Sequence, residues 1–313
     1  MAGAVALLGP RVAALLGEET PQGRNVVAPP TGALFGAHVS VPGEESAELS
    51  AVESFETEIG RTLDIAHHFY RFDKEFPTEL ERADLAAGRL PLISWNGTLT
   101  QEITAGVHDE LISTRADAIR SLGQPVLLRW MWEMDGRSKA EDVNSPADYI
   151  AAWKHIRRIF LARGAVNAQW VWCPNASAFK EKGDGPAYYP GDSDVDWICG
   201  DGYNWAPGRA GDEWESFSEI FQPLYAWARD KGKPIMIGEY GAQERTPGEK
   251  AKWIDDARQT VKKEFPLVRA VVYFHANKNY DWRVNTSEDA LRAFVEMGRD
   301  GYFDPPVRPI LEP

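Results

Sequence analysis

The stretch PVLLRWMWEMDG, residues 125–136, is an apolar, aromatic run that ends on a carboxylate, Glu133. Glutamate is almost never fully buried without a partner. The run therefore reads as a β-strand, residues 125–133, whose last residue stands at an open end or in surroundings that keep a proton on it. Seven similar runs lie on either side of it: ALFGAHV (33–39), TLDIAHHF (62–69), LPLISW (90–95), AQWVWCP (168–174), VDWICG (195–200), PIMIGEYG (234–241) and VRAVVYFH (268–275). Their starts are mostly 28 to 42 residues apart, the length of a strand, a helix and two loops.

Amphipathic segments fill the gaps. Residues 44–60, 103–123, 145–164, 214–232, 246–265 and 287–298 read as helices. Gly123 ahead of Pro125 is a stop signal, and Ser145 with Pro146 is a start signal. Residues 175–194 carry too much Gly, Pro and Asp for a long helix and are expected to form a loop. Strands alternating with helices imply a parallel sheet. Eight units without a linker imply an α/β chain closed into a single (β/α)8 TIM barrel over residues 31–313. A doubly wound open sheet is the alternative, but no G-x-G-x-x-G follows the first strand. Residues 1–30 are expected to be a poorly ordered N-terminal extension, and residues 303–313 an extended closing segment.

The chain of 313 residues has 47 acids against 34 bases, a net charge of −13. That argues against nucleic acid, which needs a clustered basic face, and against an anionic membrane surface. A neutral substrate and a monomer are expected. The start is broken by Pro10 and Arg11 and reads as neither a signal peptide nor a membrane span. The two cysteines, Cys173 and Cys199, read as buried thiols rather than a bridge. Six scattered histidines show no metal spacing, the acidic run 183–196 reads as a solvated loop rather than a calcium site, and no cofactor is expected.

In such a barrel the active site lies at the C-terminal ends of the strands. Glu133 ends the fourth strand and Glu239 the seventh, 106 residues apart. Carboxylates paired across a cleft suit glycoside hydrolysis, one donating a proton and the other attacking or activating water. Strand alternation puts Arg129 on the same side as Glu133, within reach of Glu239. Trp130, Met131 and Trp132 should raise the pKa of Glu133. Trp95, Trp172 and Trp205 stand where sugar platforms would be, and packing at the rim is an equal reading. Asn175 either meets a hydroxyl or turns the chain. His38, His67 and His68 end strands one and two, as substrate contacts or as hydrogen-bonded structural groups.

The motifs GQPVLLRWMWEMDG, YYPGDSDVDWICGDGYNW and KPIMIGEYGA resemble those of glycoside hydrolase family 26, retaining (β/α)8-barrel enzymes that act on β-mannans, mixed-linkage β-glucans and β-1,3-xylans. The likeness runs from about residue 32 to 300. It implies that Glu133 is the general acid/base and Glu239 the nucleophile. It further implies that Tyr203 bonds the nucleophile, Asp201 lies near the same subsite, Trp282 lies under the reacting sugar and Arg283 farther out. The family usually has His before its acid/base and Asn after the following Met; Trp132 and Asp135 stand there instead, a departure that bears on the preferred sugar. The expected activity is retaining, endo-acting hydrolysis of a neutral β-linked polysaccharide, β-mannan first, with mixed-linkage β-glucan or another cell-wall glycan as alternatives. A non-catalytic carbohydrate-binding barrel is the rival of another class. An extracellular setting would suit such a hydrolase, although no leader is evident.

Overall fold

The computed structural model describes residues 27–40, 45–209 and 211–305. Eight parallel strands close into a barrel in chain order: β1 Leu34–Val39, β2 Ile65–Arg71, β3 Leu90–Asn96, β4 Val126–Trp130, β5 Ala168–Trp172, β6 Trp197–Asn204, β7 Ile235–Ala242 and β8 Val268–His275. Strand β1 pairs with β8 over its whole length, which seals the ring. The main helices are α1 Glu45–Ile59, α2 Glu79–Ala86, α3 Asp109–Leu122, α4 Pro146–Ala162, α5 Phe217–Ala228, α6 Glu249–Lys263 and α7 Glu288–Arg299. A small antiparallel hairpin, β9 Asn277–Lys278 with β10 Tyr280–Asp281, follows β8 at the barrel mouth.

Local chemistry sets the boundaries. The Ser145 hydroxyl accepts from the Asp148 N–H and Pro146 opens α4, while Gly123 ends α3 at φ 66°. Helix α2 was not anticipated, although Thr78 and Glu81 form a reciprocal capping box. The helix expected over 103–123 is broken: a short turn, Thr100–Thr104, ends before Gly106 (φ 78°), and α3 starts at Asp109. Between β5 and β6 the chain makes three short 3-10 turns and no long helix, as its composition requires.

Two strand ends differ most from expectation. Strand β6 ends four residues later, at Asn204. Strand β4 stops at Trp130, because Met131 and Glu133 take positive φ angles of 46° and 52° that no strand accommodates. Residues 1–26, most of the expected extension, and 306–313, most of the expected closing segment, lie outside the described residues.

Inside the barrel, Leu34, Ile65, Leu92, Leu127, Val171, Trp197 and Met236 form one apolar layer; a larger layer separates strands from helices. Trp153, Trp227 and Trp253 pack there, as their helical positions imply. Cys173 and Cys199 form a disulfide, correcting the reading of two separate thiols. The β5–β6 register pairs Val171 with Trp197 and Trp172 with Ile198, so the cysteines fall side by side, Cα atoms 4.3 Å apart. Neither sequence spacing nor composition reveals that register. Among the described residues no helix is long and apolar enough to cross a membrane.

Candidate active site

Glu239 rises from β7 just after an irregularity in the sheet. The β6–β7 pairing passes from Gly200–Ile237 to Asp201–Glu239, leaving Gly238 as an extra residue. Such a bulge re-aims the next side chain. Only glycine fits here, since a Cβ on residue 238 would stand 2.4 Å from Cys199 Sγ and 2.9 Å from an Asp201 oxygen. Glu239 then accepts from two donors: Arg129 Nη2 at 2.5 Å on one oxygen, and the Tyr203 hydroxyl at 2.5 Å on the other. Burial and the Glu239 charge raise the Tyr203 pKa well above the usual phenol value, which keeps its donor proton in place.

Arg129 is the buried hub beneath the two glutamates. Its guanidinium donates to Ser94 Oγ at 2.6 Å, to both Asp201 oxygens at 2.9 and 2.8 Å, and to Glu239. His67 Nε2 lies 3.1 Å from it and 2.7 Å from Ser94 Oγ. Burial and the adjacent Arg129 charge push the His67 pKa well below its ordinary value, so the ring is a neutral acceptor. One cation thus meets two carboxylates, and a buried arginine in that setting fixes geometry through its planar fork.

Glu133 stands in the turn after β4. Its N–H donates to the Cys173 carbonyl at 2.8 Å, and its carbonyl accepts from the Gly136 N–H at 2.8 Å. Because this turn is left-handed at residues 131 and 133, the parity argument linking Arg129 to Glu133 does not hold. Trp132 and Glu133, adjacent in sequence, both face the cavity. Burial, reinforced by the Glu239 charge and opposed by Arg129, raises the Glu133 pKa to about 7. The pair therefore contains one carboxyl that retains a proton near neutrality and one carboxylate locked between two donors.

Both glutamates line a cavity of about 700 Å³, with Tyr203, Trp132, Trp205 and Trp282 among its walls. Trp132 lies edge-on to Phe69, ring centres 5.1 Å apart, and Trp282 packs on Tyr203 at 4.7 Å. Several expected substrate contacts lie elsewhere. Arg129 and Asp201 are buried below the cavity and do not line it. Arg283 pairs with Asp281 at 2.6 Å outside it. Trp95 stacks on Phe72 at 4.6 Å, and Trp172 packs against Phe179, Tyr189 and Trp227 behind β5. Asn175 binds Asp135 through its backbone and side-chain nitrogens. His68 is buried between Glu48 and Asp84, 2.6 Å from each, where burial opposes but these bonds outweigh it, raising its pKa to about 10.

The misplacement of Trp95, His68 and Trp172 has one cause: their neighbours Ser94, His67 and Cys173 point inward to Arg129, so they point outward. Sequence reasoning missed Phe69, Arg71, Lys139, Lys278 and Tyr280, which line the cavity; His38 lines it too. The hairpin β9–β10 that carries Lys278 and Tyr280 has strands too short for a periodic signal. The candidate metal group among the described residues is Cys173, Cys199 and Asp201, but its sulfurs bond each other and Asp201 is held by Arg129. In the acidic loop, Asp192 accepts from Tyr189 and Asp194 from Arg157, so these carboxylates already have protein partners.

Comparison with known proteins agrees with the barrel fold. A family model described as Glycosyl hydrolase family 26 matches residues 103–233. Endoglucanase H of Acetivibrio thermocellus is 35% identical over 289 residues, covering 88% of this chain and 31% of that protein. A beta-1,3-xylanase of an Alcaligenes species is 28% identical over 216 residues, covering 66% of this chain and 42% of that one. The chain thus spans well under half the length of the curated relatives it matches. The solved GH26 beta-mannanase of Bacteroides ovatus superposes with a TM-score of 0.65 over 89% of this chain and 92% of its own, at 17% identity, a likeness of fold. The chain belongs to glycosyl hydrolase family 26.

Proposed function

We propose that this chain is a retaining, endo-acting glycoside hydrolase of a β-linked polysaccharide, with Glu239 as nucleophile and Glu133 as acid/base. The observation that carries the reading is the unequal treatment of the two carboxyls in one cavity. Glu239 accepts from Arg129 and Tyr203, whereas Glu133 keeps its proton to about pH 7. Splitting of two carboxyl environments is how such enzymes assign their roles.

In the first step a Glu239 oxygen bonds the anomeric carbon as the glycosidic bond breaks. The departing oxygen takes the Glu133 proton, and the leaving sugar chain exits. Loss of the Glu239 charge then favours ionised Glu133, which takes a proton from water as the water oxygen attacks the same carbon. The Glu239–sugar bond breaks, and both carboxyls return to their starting forms. Arg129 and Tyr203 hold Glu239 in line throughout, while Trp282 and Trp132 offer flat apolar surfaces to sugar rings.

For the polymer, β-glucan leads. It follows from the 35% identity to a protein named an endoglucanase, together with Trp132 in place of the histidine expected from the resemblance. β-Mannan is the second reading, favoured by the motif resemblance. The test is product analysis on mixed-linkage β-glucan, β-mannan, glucomannan and β-1,3-xylan, with Glu239→Ala as the blank. Oligosaccharides from β-glucan, absent in the blank, support the reading. Products from mannan alone shift the substrate, and binding without products from any polymer favours a carbohydrate-binding barrel instead.

A further inference from the structure

The cavity has a sign opposite to that of the chain. In a protein of net charge −13, three cations line it, Arg71, Lys139 and Lys278, against two acids, Glu133 and Glu239. Both acids have other interactions: Glu239 shares Arg129 with Asp201, and the Glu133 pKa is raised to about 7. Cations in the cavity wall therefore outnumber acids, the reverse of the chain as a whole.

Lys139 and Lys278 stand apart from Arg71, the other cation in the cavity wall, in how they are paired. Among the described residues neither forms a salt bridge, in contrast to Arg71, Lys180 and Arg283. Lys139 is half-buried with its Nζ 4.9 Å over the Trp132 ring, which sets it as part of the cavity wall rather than a solvated surface charge. Burial disfavours its charged form, Glu133 and Asp142 support it, and the fields of Lys278 and Arg129 oppose it. Lys278, exposed on the β9–β10 hairpin, lines the same cavity, and its charge is felt at Lys139. Like charges converging on one cavity from separate elements raise each other's energy. An anion between them removes that cost.

We infer that Lys139 and Lys278 form a subsite for an anionic substituent on the polysaccharide, a uronate carboxylate or a sulfate ester, seated beside Trp132. The inference rests on the proposed polysaccharide-binding cleft and adds to it the charge of a sugar unit near the one cleaved. Arg71, whose guanidinium is exposed and only loosely paired with Asp73 at 3.5 Å, extends the positive rim.

Affinity electrophoresis with three forms of one β-glucan tests this: the neutral polymer, a sparsely C6-oxidised sample and a sparsely sulfated sample. Two partly exposed ion contacts at low salt correspond to about fivefold tighter binding of the anionic forms. Raising salt from about 20 mM to about 500 mM should bring that ratio toward one. The ratio should also fall to about one in Lys139→Met/Lys278→Met and persist in Lys139→Arg/Lys278→Arg. Preference for only the oxidised or only the sulfated form identifies the anion. Equal or weaker binding of both anionic forms by the wild type, or a preference that survives in the methionine variant, overturns the inference. Hydrolysis of the same polymers is read in parallel. Anion preference without any product counts against the proposed hydrolase alone, and hydrolysis without preference counts against this subsite alone.

Discussion

Glu133 owes its behaviour to burial and to the nearby Glu239 charge, which together disfavour its ionised form. The proposed first step consumes its proton, so kcat/KM should fall as pH rises through about 7. Glu133→Gln should flatten that limb of the profile and slow cleavage of natural linkages by about 10²- to 10⁴-fold, the usual worth of a positioned acid. Tyr203→Phe deletes one hydrogen bond to a carboxylate, worth about 1.5–3 kcal/mol, so kcat should drop about 10- to 100-fold with little change in KM. Steady-state kinetics across pH checks both. His68 gives a stability prediction of definite sign. Its folded pKa of about 10 exceeds the ordinary histidine value of 6.5, so its ion pairs with Asp84 and Glu48 stabilise fully below pH 6.5 and lose that effect as pH rises through 10. His68→Gln should therefore lower the urea midpoint much more at pH 6 than above pH 10.

At the scale of elements, the two chemistry-bearing segments are both irregular. Strand β4 ends in a left-handed turn that presents Trp132 and Glu133 to one cavity, and β7 uses the extra residue Gly238 to aim Glu239. Gly238→Ala would drive a methyl into Cys199 and the Asp201 carboxylate that anchors Arg129. Overpacking of that kind costs about 1–3 kcal/mol or more, so thermal unfolding should come earlier and turnover should fall with it. These irregularities also mark the limit of what the sequence discloses. Eight strands and most helices were legible because period-2 and period-3.6 patterns and caps such as Ser145 are local signals. That Glu133, Glu239 and Tyr203 share one cavity was legible from their motifs. The roles of Trp95, Trp172 and His68 were not, because inward or outward facing depends on strand phase. Knowing that Arg129 lies opposite Ser94 fixes that phase for β3 and turns Trp95 outward. The Cys173–Cys199 bond needed the β5–β6 register in the same way.

The whole molecule is a closed ring whose stability and chemistry occupy different layers. Apolar side chains fill the lower barrel and the space beneath the helices, while Arg129, Asp201, Ser94 and His67 form a polar plug directly under the mouth. That plug lets the ring hold two carboxyls in one cavity in unequal surroundings, Glu239 bonded to Arg129 and Tyr203 and Glu133 with its pKa raised to about 7 by burial. Breaking it should be costly: Arg129→Met leaves Asp201 and Glu239 without their cation, and removal of one partner of a buried pair typically costs about 3–5 kcal/mol. Chemical denaturation of that variant near neutral pH should show a midpoint well below the wild type. The central claim is double displacement by Glu239 and Glu133 in this cavity. Its most direct test is proton NMR of the first reducing ends released from mixed-linkage β-glucan or β-mannan, with Glu239→Ala alongside. The account predicts that the β-anomer signal appears first, with mutarotation to α following, and that the variant releases none. An α-anomer signal appearing first, or the same product from Glu239→Ala, would contradict it.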